Sequence, residues 1–312
     1  MTGRRKKHYT VACLAGHGTG PELMAETSRA LHEVSRLHGF RIEDVHVPFA
    51  GEAMSRFGQA LPATTRSVCL EADAILVARP GAPALEDVEA ELDLRAEMLR
   101  VRFAPHGDLF LLSPRSDDLC EWTVEQAFGL ARASRARLAS IDPDGTWRAL
   151  VDAVAERHDG VLVEHLNVAS GLPALAFDPE RFDVIVTGPL FARALADIAA
   201  AVDREGRVVA RCLLAGNGPS VFGPVDTDDQ SHAGQGVANP SSMLLAASLL
   251  LGQGLDERAA GETLAGAVSL ACTSGVRTLD RVLRGIAATT REFTDSVLSE
   301  LPVSVTTAEF AR

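Results

Sequence analysis

The sequence predicts an α/β protein built around a mixed, largely parallel β-sheet. Two observations lead to this prediction. Short apolar runs rich in β-branched residues alternate along the chain with longer segments whose apolar residues recur at helical spacing. The chain also has 312 residues, 46% of them hydrophobic, which is enough for one large or two ordinary domains with a well-buried core.

The predicted elements follow this alternation from the N-terminus onward. The β-rich run YTVACLA (9–15) is the first strand, and Pro21 opens a helix with one apolar face after a glycine-rich turn. Further strands are predicted at 40–47, 72–78, 108–112, 136–141, 160–168 and 182–188. Further helices are predicted at 122–134, 146–158, 190–202, 240–253, 256–272 and 290–300.

Composition and charge argue against several classes of partner. The net charge of −12 argues against nucleic acid, and the basic run Arg4-Arg5-Lys6-Lys7 is typical of a solvated terminal tail. We find no apolar stretch long enough to span a membrane and no signal-peptide core. The five cysteines are scattered and lack a CxxC pair, as expected for reduced, mostly buried thiols. These features predict a cytoplasmic protein without a membrane partner.

Two residue types are nearly absent. The chain has a single tyrosine, Tyr9, and its only lysines are Lys6 and Lys7. A mechanism that needs a lysine or a tyrosine in a central pocket is therefore strongly disfavoured.

The segment LAGHGTGPE (14–22) places three alternate glycines between a strand and a helix. Glycines there let the backbone approach a ligand, and the helix N-terminus favours an anion. A plain tight turn would explain this segment equally well on its own. His17, at its centre, could act as a general acid or base, or could simply hold the loop by hydrogen bonds.

Five ordered segments together resemble the isopropylmalate/isocitrate dehydrogenase family, the metal-dependent β-decarboxylating hydroxyacid dehydrogenases. They are LAGHGTGPE, FGQALPATTRSVCLEADAILVARPGAP, FDPERFDVIVTGPLF, FGPVDTDDQSHAGQGVANPSSMLLAASLLL and GIAATTREFTDSVL. The resemblance implies a two-domain fold with a helical dimer interface. It also implies NAD and Mg²⁺ or Mn²⁺ as cofactors and a 2-hydroxy diacid as substrate.

The resemblance also exposes departures in the catalytic positions. Pro143 stands where the family has a catalytic lysine, and Ala169 stands where a metal-binding aspartate is expected from the partner subunit. The segment that carries the family's tyrosine is shortened here and has no phenol. Of the family's substrate arginines, Arg95 is matched, whereas Ala104 replaces another and Arg102 lies nearby.

The helix after FDVIVTG carries the most telling departure. The first aspartate of the family's metal motif is Arg193 here, and the second survives as Asp197. Their i,i+4 spacing predicts an ion pair, and a guanidinium can grip a carboxylate without a metal. We therefore interpret Arg193 as a replacement for the metal charge and predict no metal site. A solvated helix pair in an inactive pocket is the alternative.

The cofactor loop has also changed. Where the family has a neutral loop around the adenosine half of NAD, this chain carries three acids and a histidine: Asp226, Asp228, Asp229 and His232. Like-charge repulsion would oppose a pyrophosphate there, so NAD binding is doubtful and no cofactor-binding residue is assigned. The cluster could bind a metal, but acidic loops are usually only solvated. Asp142 and Asp144 are interpreted as a turn and a helix cap, and His165 as structural.

These observations favour a repurposed enzyme that binds a small carboxylic acid in the interdomain cleft. Arg95, Arg102, Arg193 and Asp197 would bind the acid, and His17 would be available for proton transfer. The alternatives are a non-catalytic or regulatory subunit of an active paralogue, and an NAD-dependent dehydrogenase of a 2-hydroxy acid.

The resemblance also implies how the chain is divided and assembled. The large α/β domain is expected at 1–100 and 205–312, with the small domain and its dimerisation helices at 101–204. The helix LFARALADIAAAV has an apolar face too large for a solvated helix, which predicts a two-fold homodimer.

Overall fold

A computed structural model describes residues 7–79, 83–103, 107–116, 120–202, 208–225, 230–282 and 286–302. In these ranges the strands are β1 (His8–Leu14), β2 (Arg41–His46), β3 (Ala74–Val77), β4 (Leu94–Arg102), β5 (Asp108–Pro114), β6 (Arg137–Asp142), β7 (Leu162–Asn167), β8 (Val184–Val186), β9 (Val209–Ala215) and β10 (Ser220–Pro224).

The helices of the same ranges are α1 (Gly20–His38), α2 (Ala50–Phe57), α3 (Ala63–Glu71), α4 (Pro83–Glu89), α5 (Glu121–Ala133), α6 (Thr146–Ala155), α7 (Val168–Phe177), α8 (Pro189–Val202), α9 (Ser241–Leu249), α10 (Arg258–Thr273) and α11 (Thr290–Ser299). A π-helical segment, Leu250–Gly254, continues α9. Short 3₁₀ turns lie at Pro179–Arg181, Gln230–His232 and Leu279–Arg281.

The described strands form one continuous sheet in the order β2-β1-β3-β10-β9-β4-β5-β8-β6-β7. Neighbouring strands are parallel except at β10–β9, β9–β4 and β4–β5, so the predicted mixed, largely parallel sheet is confirmed. The predicted domain boundary at residue 100 falls inside β4. The division into two domains therefore stays a prediction.

Two layers of helices cover the two faces of the sheet, and successive side chains along each strand face one layer and then the other. Met98, Leu112 and Val186 face the layer that contains α1, α5, α6, α9, α10 and α11. Leu99, Leu111 and Ile185 face the opposite layer, to which α8 belongs. Consequently α5 and α8 lie on opposite faces of the β4–β5–β8 part of the sheet.

The cysteines have the character that the sequence predicts. All five are free thiols, and all except Cys120 are buried. Burial raises the pKa of Cys13 to about 12 and that of Cys69 to about 11, so both thiols stay protonated at neutral pH. None of the described helices combines the length and apolar character needed to cross a membrane.

Only part of the apolar face of α8 that was predicted to form the dimer interface is exposed to solvent. Leu195 of α8 is 1% exposed and is packed into the core of its own subunit. Leu190 at the start of α8 is 80% exposed, and Phe177 at the end of α7 is 89% exposed. Apolar side chains this exposed are consistent with an interface, and the homodimer stays a prediction.

Candidate functional site

The glycine loop after β1 is a tight turn that carries His17. Gly16 and Gly18 have φ angles of +71° and +70°, which side-chain-bearing residues rarely adopt. The Nε2 atom of His17 lies 2.8 Å from Nη1 of Arg79. A guanidinium only donates, so Nε2 of His17 is the acceptor in this contact. An acid/base role for His17 stays a proposal.

The predicted ion pair at the start of α8 is confirmed. Nε of Arg193 lies 3.1 Å from Oδ1 of Asp197, one helical turn on. The two side chains are 43% and 38% exposed, so the pair is half-buried and reachable from solvent. Pairs of this kind contribute only about 0.3–0.5 kcal/mol to stability, so this pair adds little to the stability of the fold.

Arg95 is the second residue of β4, in the part of the strand that pairs with the C-terminal end of β5. Its Nε and Nη2 atoms donate to the carboxylate of Asp93 at 3.0 and 2.8 Å. The guanidinium carbon lies 5.7 Å from the ring centre of Trp122, on α5. Arg95 therefore lies beside the start of α5.

The position of Arg102 requires a correction to the predicted arginine cluster. Arg102 ends β4, seven residues and about 23 Å of strand beyond Arg95. Its Nη1 donates to Oδ2 of Asp108 across the hairpin, and its side chain is 12% exposed. One small carboxylate cannot contact both ends of a strand this long. Arg95, Arg102 and Arg193 therefore do not converge on one ligand in this subunit.

The remaining predicted polar residues serve the local structure. The carboxylate of Asp142 accepts hydrogen bonds from the backbone N–H groups of Asp144 and Gly145. Asp144 accepts from the backbone and hydroxyl of Thr146 at the start of α6, and these bonds lower the pKa of Asp144. Nε2 of His165 lies 2.9 Å from Oδ1 of Asp152. The predicted turn at Asp142 is confirmed, whereas the N-cap of α6 is Gly145 and Asp144 stands one residue before it. A structural role for His165 stays a prediction.

The predicted acidic loop lies largely outside the described residues, which exclude Asp226, Asp228 and Asp229. His232 is described, in the 3₁₀ turn Gln230–His232. In the described ranges, no group of three or more His, Cys, Asp and Glu side chains is placed to hold a metal ion. This search does not include the three acids of the loop, so their metal role lies outside the described residues.

His232 instead lines a cavity of about 240 Å³ that the sequence did not predict. The other lining residues come from three distant segments: Thr19, Val237, Ala238, Asn239, Leu279 and Asp280. The amide of Asn239 donates to Oδ2 of Asp280 at 2.9 Å, and its carbonyl oxygen accepts from the backbone of Ser241. Apolar walls with one amide and one carboxylate suit a flat heterocycle that both donates and accepts hydrogen bonds.

Comparisons with known proteins agree on a family. The sequence profile described as isocitrate/isopropylmalate dehydrogenase matches residues 10–104 and 114–297. A 3-isopropylmalate dehydrogenase of Bacillus thuringiensis subsp. konkukian (strain 97-27) is 30% identical over 345 residues, with 93% of this chain and 96% of the relative covered. One of Synechococcus sp. (strain CC9605) is 29% identical over 337 residues, covering 89% and 94%.

Solved structures agree on the fold. A β-decarboxylating dehydrogenase of Thermococcus kodakarensis in its apo form superposes with a TM-score of 0.79 at 22% identity, over 94% of this chain and 96% of that one. The isocitrate dehydrogenase of Methylococcus capsulatus gives 0.76 at 16% identity, over 94% and 99%. The fold expected from the sequence is thereby confirmed.

Proposed function

Since the chain belongs to the isocitrate/isopropylmalate dehydrogenase family, we propose that it binds a small carboxylic acid beside α8 without a divalent metal ion. In this proposal the family's metal-dependent hydride transfer is lost, and the protein is a repurposed enzyme. The observation that carries the proposal is the ion pair of Arg193 with Asp197, because it puts a permanent cation beside the one acid that survives from the metal motif.

The residues present do not fit the family's metal. Mg²⁺ and Mn²⁺ require several oxygen ligands, usually carboxylates and waters. This chain offers Asp197 next to a guanidinium, and Ala169 has no oxygen on its side chain. A dication beside Arg193 would also be repelled by the guanidinium charge. We therefore derive no step through a metal.

A guanidinium can take over the binding part of the metal's role. It presents its N–H groups in a planar fork that matches the two oxygens of a carboxylate, and it keeps its charge at every physiological pH. Asp197 holds Nε of Arg193, which orients the fork. An incoming carboxylate would join or replace the present partners of Arg193. No proton donor is assigned beyond the proposed His17.

The test is the thermal stability of the purified protein with malonate, malate and 3-isopropylmalate, each with and without Mg²⁺ and NAD. An acid at ten times its dissociation constant adds about 1.4 kcal/mol of stability, which a thermal shift detects. We expect stabilisation by an acid alone, lost in Arg193→Gln and kept in Arg36→Gln. Arg36 is 68% exposed on α1, so the control removes the same charge elsewhere.

The outcomes separate the three candidate functions. Stabilisation that requires Mg²⁺ and NAD together would overturn the proposal and favour a dehydrogenase. The absence of any shift would favour a non-catalytic or regulatory subunit, and co-purification with a paralogue would then be the next measurement.

One observation favours the dehydrogenase as the second candidate. The cavity beside His232 offers an amide, a carboxylate and apolar walls, which fit the adenosine half of NAD. We expect NAD or AMP to stabilise the protein if this candidate is correct, and Asp280→Asn to weaken that binding about tenfold. Asp256→Asn is the control, because Asp256 is an exposed carboxylate outside the cavity. Formation of NADH from a 2-hydroxy acid, followed by absorbance, would decide for the dehydrogenase.

A further inference from the structure

A second cavity lies on the face of the sheet opposite to α8. Its volume is about 430 Å³, within the range of small-molecule sites. The β4–β5 hairpin forms its floor, α5 forms one wall, and α9, the π-helical segment and α10 form the other. Neither Arg193 nor the residues beside His232 line it. The cavity is therefore separate from both sites considered above.

Its floor holds a buried triad in which two arginines share one aspartate. Arg100 is 2% exposed and donates from Nε and Nη2 to the two carboxylate oxygens of Asp108, at 2.8 and 2.7 Å. Arg102 donates to the same carboxylate from Nη1. Two guanidiniums and one carboxylate carry a net charge of +1 in a region that water reaches poorly.

The nearby groups compensate this charge only in part. Glu262 lies 3.3 Å from Nη2 of Arg100, but its side chain is 65% exposed, so water screens it. Within the described ranges, Nε of Arg102 is buried and has no hydrogen-bond acceptor. A buried guanidinium N–H without an acceptor is costly, and a small shift of the Arg102 side chain would turn it towards a ligand in the cavity.

The walls add groups suited to binding rather than to packing. Arg135 and Arg258 bring two more guanidiniums to the lining, each already paired with an acid outside it: Arg135 with Asp183, and Arg258 with Asp256 at 3.4 Å. Among the described lining residues the acids are Asp108 and Glu262. Phe110 supplies an aromatic surface on the floor, and Gly129 of α5 faces open space. The π-helical wall is a further indication, since such segments occur frequently at functional sites.

We propose that this cavity is a second ligand site, which binds a small organic anion through the guanidinium of Arg102. The candidate ligands share an oxyanion group, either a carboxylate or a phosphate, and the rest of the ligand would lie against Phe110. Because α5 and α10 form opposite walls of the cavity on the same face of the sheet, a bound anion would link α5 to α10. Such a ligand would act on the protein at a distance from α8.

The experiment measures binding of malonate, inorganic phosphate and malonamide to the full chain by calorimetry and thermal shift. Malonamide is the neutral counterpart of malonate and tests whether the site selects charge. We expect malonate or phosphate to bind and malonamide not to bind, and the better anion identifies the ligand class. In Arg102→Gln the affinity should fall about tenfold, the effect of one lost charge-assisted contact.

A steric variant tests the same site without removing a charge. Gly129→Leu places a side chain in the cavity, and it also replaces a helical glycine with a better helix former, so folding should be preserved. We expect this variant to lose anion binding. Gly129→Ala controls for the helix effect, and Arg36→Gln controls for the loss of one positive charge.

Three results would overturn the inference. The first is equal binding of malonate and malonamide. The second is that neither malonate nor phosphate binds. The third is anion binding that is unchanged in Arg102→Gln and also in Gly129→Leu. If Arg193→Gln alone abolishes binding, the anion sits beside α8, which supports the proposed function and refutes this second site.

Discussion

Replacing Asp108 by asparagine should lower the free energy of unfolding by about 3–5 kcal/mol, because it removes the carboxylate that Arg100 and Arg102 share. Among the described residues, Arg100 would keep its charge at 2% exposure beside Ser248, the ring of Phe110 and the exposed Glu262. Urea unfolding at pH 7 measures the loss. Arg100→Met should cost less, because Asp108 then keeps Arg102.

A matched exposed pair is the control for Asp108. Asp295 accepts from Nη1 of Arg29, and its side chain is 55% exposed. Asp295→Asn should therefore change the free energy of unfolding by less than about 1 kcal/mol. If the two asparagine variants lose the same small amount, the buried triad contributes no more than a surface pair.

The effect of Asp108 should depend on pH in one direction. Burial by itself would raise the pKa of Asp108, but Arg100 and Arg102 outweigh burial and hold the pKa below its usual value. The pKa of Asp108 is thus lower in the folded protein than in the unfolded chain, where it is about 3.9. Ionised Asp108 therefore contributes its full stabilisation at every pH above about 3.9. The stability difference between wild type and Asp108→Asn should stay constant from pH 8 to pH 5. It should shrink as the pH falls below about 3.9 towards the folded pKa.

The fold was predictable because its signals are local and ordered along the chain. Buried runs such as the one ending at Val77 and the one around Ile185 have few alternatives to a strand, and segment order then identified the family. The pair of Arg193 and Asp197 was predictable for the same reason, since a helix fixes the i,i+4 distance.

The strands β4, β9 and β10 and the helices α2, α3, α4 and α7 were not predicted, and two of them, β4 and α7, carry mixed local signals. β4 reads LRAEMLRVR, where charged residues interrupt the apolar alternation, and only its partner strands on both sides make it a central strand. α7 contains Gly171 and Pro173, which disfavour a helix locally, and packing overrides that preference. Local sequence could not supply what a partner strand or a packed layer decides.

The missed site residues depend on long-range pairing. The arginine motif of the family predicts that Arg102 binds the carboxylic acid together with Arg193, because Arg102 lies near the motif's arginine position. The hairpin register pairs Arg102 with Asp108, and that register was not available from the motif. Thr19, Asn239 and Asp280 come from three distant segments that meet only in the folded chain.

Gly20→Ala should destabilise the protein by about 1–3 kcal/mol, although alanine is the better helix former. A Cβ atom on Gly20 would lie 1.9 Å from the carbonyl oxygen of Ala15, a separation that no side-chain rotation can relieve. The loop before α1 would have to open, and Thr19 would move out of the cavity beside His232. Urea unfolding measures the first effect, and weaker stabilisation by any nucleotide found to bind there measures the second.

Gly129→Ala is the matched control for Gly20→Ala. Both glycines belong to helices, but a Cβ on Gly129 meets nothing within 4 Å. This substitution should raise the free energy of unfolding by about 0.5–1 kcal/mol through helix propensity alone. The same chemical change then has opposite signs at the two positions, because only Gly20 lies against another segment of backbone. If both variants are stabilised, the glycine loop is free to rearrange, and the close contact with Ala15 is not what requires glycine there.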